Sequence, residues 1–192
     1  WEGGLAIYGG IIAGCTALVL TAMYKKINPL KVMDAVGPGV MLAQAIGRWG
    51  NFVNVEAYGA ETTLPWRMGV LYSFNDGVSF VSEKFVHPTF IYESLWNLVG
   101  LILITYFYKK KKFHGQMFLS YMTWYGFGRM LIEGLRADSL YVGSIRISQL
   151  VGFVTFVVGA VIIIVNLRRV KRNVPADEPE EEENTSEVEN DG

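Results

Sequence analysis

The hydrophobic positions of the chain fall into long runs separated by short polar stretches. Apolar runs cover residues 4–23, 89–108, 116–132 and 147–167, each near the ~20 residues that cross a bilayer as a helix. A weaker fifth run covers residues 32–46 and contains Asp34 and Pro38, which a membrane helix tolerates only where they face protein or water. The pattern predicts an all-α, polytopic integral membrane protein with about five transmembrane helices and an external polar segment over residues 52–87.

Basic residues orient these runs. Lys25 and Lys26 follow the first, Lys109 to Lys112 follow the third, and Arg168, Arg169, Lys171 and Arg172 follow the last, which assigns those ends to the cytoplasm. Five alternating crossings satisfy all three clusters, and that agreement is the argument for counting residues 32–46 as a span. The amino end and the stretch beginning at Gly47 then lie outside, and the carboxyl tail lies inside.

Residues 1–172 thus read as one membrane-embedded domain. Residues 173–192, NVPADEPEEEENTSEVENDG, are acidic and nearly free of large apolar side chains, so they cannot offset their ordering entropy by burial and are expected to be a disordered cytoplasmic tail. The tail masks the charge of the remainder. Of 18 acidic residues nine lie in it, leaving 17 basic against nine acidic, a surplus of eight. Such a surplus suits a protein beside anionic lipid and favours an anionic substrate.

The chain starts at Trp1. An odd number of spans beginning abruptly at the outer surface leads to the expectation that further spans precede it. Cys15 is the one cysteine, so no internal disulfide forms; it is expected to be a small residue in a tightly packed helix. Gly10 and Gly14 carry the small-x-x-x-small spacing of helix association, and Tyr8 lies beside them near the outer surface.

Several polar groups interrupt the outer ends of the spans. GRWGNFVNVEAYG places Arg48, Asn51, Asn54, Glu56 and Gly59 after the second run. A guanidinium at that depth requires an anion or carbonyl partners; snorkelling, or a pair with Glu56, is the structural alternative to substrate binding. YGFGRMLIEGLRAD sets Tyr125, Arg129, Glu133 and Arg136 at spacings of four, four and three, on one face of a helix. Two arginine-bearing segments at the same leaflet make a phosphate site, since bidentate guanidinium contacts suit phosphate oxygens. His87 opens HPTFIYES, followed by Tyr92 and Glu93, either as a helix-entry cap and anchor or as part of the site. The two histidines fall on opposite sides of the membrane, so no metal site is expected. No phosphate-binding glycine loop and no nucleophile elbow occurs.

The stretches GGLAIYGG, GRWGNFVNVEAYG, HPTFIYES and YGFGRMLIEGLRAD, in that order across residues 1–167, resemble the phosphatidylglycerol:prolipoprotein diacylglyceryl transferases. The resemblance implies a bacterial cytoplasmic-membrane enzyme with seven spans, of which this chain carries the last five. It implies transfer of the diacylglyceryl group of phosphatidylglycerol to the lipobox cysteine thiol of prolipoprotein signal peptides, with release of glycerol phosphate and without a cofactor. Arg48, Asn51, Glu56 and Gly59 fall on one family signature, and Tyr125, Arg129, Glu133 and Arg136 on a second polar cluster.

Catalytic roles are expected for Arg48, Arg129, Tyr8 and Glu56. Binding roles are expected for Arg48, Asn51, Asn54, Gly59, His87, Tyr125, Glu133 and Arg136. Tyr8 stands where some members carry a histidine proposed as base; a phenol with an ordinary pKa near ~10 is a poor base at neutral pH, so Tyr8 is expected to orient the lipid. The competing class is a membrane protein that only binds or moves phospholipid. A channel is disfavoured because the polar residues cluster at one leaflet.

Overall fold

A computed structural model describes residues 6–74, 80–136, 141–142 and 145–173. Five helices account for most of them: α1 (Ala6–Tyr24), α2 (Pro29–Val53), α3 (Thr89–Phe107), α4 (Gln116–Ile132) and α5 (Ile147–Asn173). The 116–132 run coincides with α4, and the 89–108 run with α3 plus the first residue of a short 3-10 turn, Tyr108–Lys110. The weak 32–46 run is the middle of a longer element, α2. Its helix reaches 25 residues and carries Arg48 and Asn51 within its last turns, so these residues end a rigid rod. Among the described residues two helices, Thr89–Lys110 and Ile147–Arg172, are long and apolar enough to cross a membrane by length and composition. Their outward faces agree with that reading, with Ile102 and Leu95 of α3 and Val151, Val158 and Val161 of α5 exposed.

The stretch between α2 and α3 adds what periodicity did not foresee, an antiparallel hairpin of β1 (Met68–Phe74) and β2 (Phe80–Val86), registered from Met68 opposite Val86 to Phe74 opposite Phe80. A two-residue ladder pairs β3 (Tyr141–Val142) with β4 (Ile145–Arg146) just before α5.

Asp34 and Pro38 lie one helical turn apart within α2. Proline lacks the N–H that would bond the carbonyl four residues back, which is that of Asp34, and the helix continues through it. The Asp34 side chain is fully buried and turns to α4. Its carboxylate accepts from the backbone N–H of Gly115, Met117 and Phe118 at 2.9, 2.9 and 3.1 Å and from Lys111 Nζ at 3.2 Å. A helix start leaves backbone donors unmatched and favours negative charge; α4 has no side-chain cap of its own, and α2 supplies one from 81 residues away.

Midway along the bundle α3 and α4 are locked by two tryptophans. Trp96 Nε1 donates to the Trp124 carbonyl at 3.0 Å, and Trp124 Nε1 donates to the Trp96 carbonyl at 2.9 Å. The rings stack with centroids 4.5 Å apart. Each indole occupies the space that a side chain would fill on the opposite helix, Trp124 against Gly100 and Trp96 against Gly128. Below the clamp Met41, Ile104, Met117 and Tyr121 form the buried core. The first helix is the exception to close packing. Among the described residues nothing lies within 4 Å of a Cβ placed on Gly10 or Gly14, and Cys15 is exposed, so the expected tight packing around these residues is not seen. The side chain of Tyr8 and the acidic tail from residue 174 lie outside the described residues.

Candidate functional site

The C-terminal ends of α2 and α4 and the N-terminal end of α3 meet around one carboxylate. Glu93 sits on the second turn of α3, buried to 5% exposure, with Arg48 of α2 on one side and Arg129 of α4 on the other. Glu93 Oε2 lies 2.7 Å from Arg48 Nε, and Glu93 Oε1 lies 3.2 Å from an Arg129 terminal nitrogen. The second terminal nitrogen of Arg129 reaches Glu133 Oε2, one helical turn on, at 2.5 Å. Arg136 completes the ring, 3.9 Å from Glu93 and 4.0 Å from Glu133. Glu133 is itself buried, and its carbonyl accepts from Arg146 at the entry to α5.

Among the described residues three guanidiniums stand against two carboxylates, in a place where the arginine side chains are only 14–19% exposed. Buried ionic groups persist only when paired, and the arrangement distributes that pairing unequally. Arg129 spends both terminal nitrogens on carboxylates. Arg48 forms an ion pair with Glu93 through Nε, a charge contact and not an aligned hydrogen bond since Glu93 Oε2 accepts none, and among the described residues no hydrogen bond or ion pair engages its two terminal amino groups. A guanidinium fixed by one edge presents the other as a preformed donor pair, the geometry that suits a phosphate.

The loop after α2 closes the site. Val55 and Ala57 both adopt positive φ, 52° and 57°, unusual for residues with a Cβ, and Thr89 Oγ1 donates to the Ala57 carbonyl at 2.6 Å. Gly59 N–H donates to the His87 carbonyl at 2.9 Å and Ala60 N–H to the Leu135 carbonyl at 2.8 Å, so the loop is stitched between the start of α3 and the end of α4. A Cβ at Gly59 would meet His87 Cβ at 2.5 Å and Leu135 O at 2.9 Å. The glycine therefore admits protein backbone at the rim of the arginine ring.

The sequence-predicted residues divide accordingly. Arg48, Arg129, Glu133 and Arg136 are brought together. Tyr125 joins them, lining a small cavity with Glu93, Asn97 and Arg129. Asn51 lies three residues beyond Arg48 on α2, half-buried at the same end. Glu56 does not pair with Arg48: it is exposed, accepts from Asn54 Nδ2 at 3.3 Å, and its N–H donates to the Asn51 carbonyl at 3.0 Å. His87 stands outside the ring, with Nδ1 3.4 Å from the Tyr92 hydroxyl, which accepts from Trp66 Nε1 at 2.8 Å. Two residues given no role by the sequence reading belong to the site, Glu93, noted only as following His87, and Asn97. Both are polar, one turn apart, inside a run long enough to span a membrane, which is itself the signal of a functional position.

A family model described as prolipoprotein diacylglyceryl transferase matches residues 1–165. Curated relatives carrying the name phosphatidylglycerol–prolipoprotein diacylglyceryl transferase include that of Streptococcus uberis, 45% identical over 178 residues, covering 91% of this chain and 66% of the relative. That of Listeria innocua is 45% identical over 176 residues, 91% of this chain and 63% of the relative. That of Streptococcus pyogenes serotype M1 is 44% identical over 171 residues, 88% and 65%. The chain spans just under two thirds of the length of these relatives.

Proposed function

The chain belongs to the prolipoprotein diacylglyceryl transferase family, and from that premise we propose that the protein transfers the diacylglyceryl group of phosphatidylglycerol to the thiol of a lipobox cysteine in a prolipoprotein signal peptide. In this reading all five helices cross the bacterial cytoplasmic membrane, the arginine ring faces the outer leaflet, and the tail is cytoplasmic, as the basic clusters direct.

The observation that carries the reading is Arg48, ion-paired through Nε with buried Glu93 and with its terminal amino groups engaged by no other described residue. These groups take the phosphodiester of phosphatidylglycerol. Arg129 and Arg136, held by Glu93 and Glu133, supply the surrounding positive field. The cysteine sulfur, as thiolate, attacks the glyceryl carbon that bears the phosphate. A carbon–sulfur bond forms, the carbon–oxygen bond to phosphorus breaks, and the electron pair leaves on the phosphate oxygen of glycerol phosphate. The thiol proton departs to solvent or to the phosphate released. Negative charge thus moves onto the leaving phosphate, where fixed guanidiniums in a water-poor site stabilise it without reorganising. The same field lowers the thiol pKa from its ordinary ~8.5.

Asn51, Asn54 and Glu56 hold the glycerol hydroxyls of the headgroup at the rim, Tyr125 supports the inner wall, and His87 frames the entrance. Tyr8, on the outer end of α1, orients the lipid. The test replaces Arg48 and Arg129 separately with lysine in the full-length protein. Thioether formation on a lipobox peptide should fall at least ~100-fold in each, because a point charge loses the bidentate fork. Near-wild-type transfer in both variants, at matched expression, overturns the two-arginine site. Tight phosphatidylglycerol binding with no transfer in the wild-type protein assigns it to lipid binding alone.

A further inference from the structure

On the far side of the tryptophan clamp from Arg129, α3 and α4 part and leave a groove of about 310 Å³. Ile104 and Met117 form its floor, Leu103, Phe107 and Trp124 line it, and Lys110 stands at its mouth. From Gly100 to Phe107 it follows α3 for about 10 Å, seven residues at ~1.5 Å each. Leu103 and Phe107 are exposed, so the groove opens sideways as well as at its end. Apart from Ser120, its walls are apolar between the clamp and Gln116.

The charge at its mouth is placed and unspent. Lys110 Nζ lies 5.4 Å from the Tyr106 ring centroid and 5.9 Å from that of Phe107, which holds the ammonium over the rim. Among the described residues Lys110 makes no ion pair, whereas its neighbour Lys111 is committed to Asp34. Lys109 and Lys112 on either side are exposed. An apolar slot at hydrocarbon depth with lysines at its end matches one chemistry: an acyl chain continued by an anionic headgroup.

We propose that this groove is a second lipid site, separate from the arginine ring, which takes an anionic phospholipid of the cytoplasmic leaflet with one acyl chain between α3 and α4 and its phosphate on Lys110. The proposal rests on the membrane orientation given above and is independent of the transfer chemistry.

The test uses the full-length protein in phosphatidylcholine nanodiscs carrying a minor fraction of phosphatidylserine brominated at mid-chain, and reads quenching of Trp124 as the difference between the wild-type protein and Trp124→Phe. Brominated phosphatidylserine should quench about fivefold more effectively per mole than brominated phosphatidylcholine, the preference expected from one basic residue at a membrane surface. Lys110→Gln should bring the ratio near one, and Arg48→Lys should leave it unchanged. If Trp124→Phe is unstable, Leu103→Trp places a reporter in the groove. Equal quenching by the two lipids, or a preference that survives Lys110→Gln, overturns the site. A preference lost in Arg48→Lys and kept in Lys110→Gln assigns the lipid to the arginine ring and overturns it too. Failure of the transferase reading shows separately, as no thioether product from the wild-type protein, and does not move the quenching ratio.

Discussion

Replacing Glu93 with glutamine tests whether one carboxylate organises the site. Glutamine keeps the volume and one acceptor but removes the charge that faces Arg48 at 2.7 Å, Arg129 at 3.2 Å and Arg136 at 3.9 Å. Glu133 would then be left among three guanidiniums. Removing one member of a buried ionic cluster costs about 3–5 kcal/mol, because the charges left behind stay desolvated. The arginine side chains retain 14–19% exposure, which lets water screen part of the loss and points to the lower end, about 3 kcal/mol. Unfolding in mixed micelles of mild and denaturing detergent, followed by tryptophan fluorescence, measures it. Transfer should fall by at least ~100-fold, since Arg48 loses the edge contact that aims it and displacements near 1 Å cost about that much. Glu93→Asp keeps the charge but withdraws it by one methylene, and should lose less stability than glutamine while still transferring slowly. A glutamine variant within about 0.5 kcal/mol of the wild-type protein, with normal transfer, would refute the organising role.

Asp34→Asn should destabilise the protein by about 2–3 kcal/mol, because an amide offers one acceptor oxygen where the carboxylate serves three N–H groups and Lys111; detergent unfolding reads the loss, and an unchanged midpoint contradicts the remote cap. Gly128→Ala drives a methyl into the Trp96 indole and should cost about 2 kcal/mol in the same measurement, overpacking outweighing the ~1 kcal/mol gained in helix propensity. Tyr8→Phe should slow transfer modestly and leave the shape of its pH dependence unchanged; an enzyme that binds phosphatidylglycerol normally but transfers nothing would instead make the phenol a proton carrier.

The helices were legible because long uninterrupted apolar runs mark them in the sequence. The runs at 89–108 and 116–132 landed on their helices to within a residue. The run at 32–46 fell short at both ends because Asp34, Pro38, Arg48 and Asn51 dilute hydropathy; Asp34 and Arg48 are admitted by tertiary partners that no local window contains. The hairpin was missed because its residues had been read only as an external polar segment. Within the site, helical spacing correctly grouped Arg129, Glu133 and Arg136. It could not pair Arg48 with Glu93, 45 residues on and in another element, and nearness in sequence suggested Glu56 instead. The glycines of α1, read for packing, meet nothing among the described residues.

The central claim is that a guanidinium ring anchored on Glu93 drives displacement at a glyceryl carbon. Its most direct test incubates full-length protein with a lipobox peptide and phosphatidylglycerol isotopically labelled in the diacylglyceryl moiety, and analyses peptide and released headgroup by mass spectrometry. The account predicts the labelled diacylglyceryl group in thioether linkage on the cysteine, unlabelled glycerol phosphate released in equal amount, and loss of both products in Arg48→Lys. Release of glycerol phosphate without thioether, or undiminished thioether formation in Arg48→Lys, would contradict it.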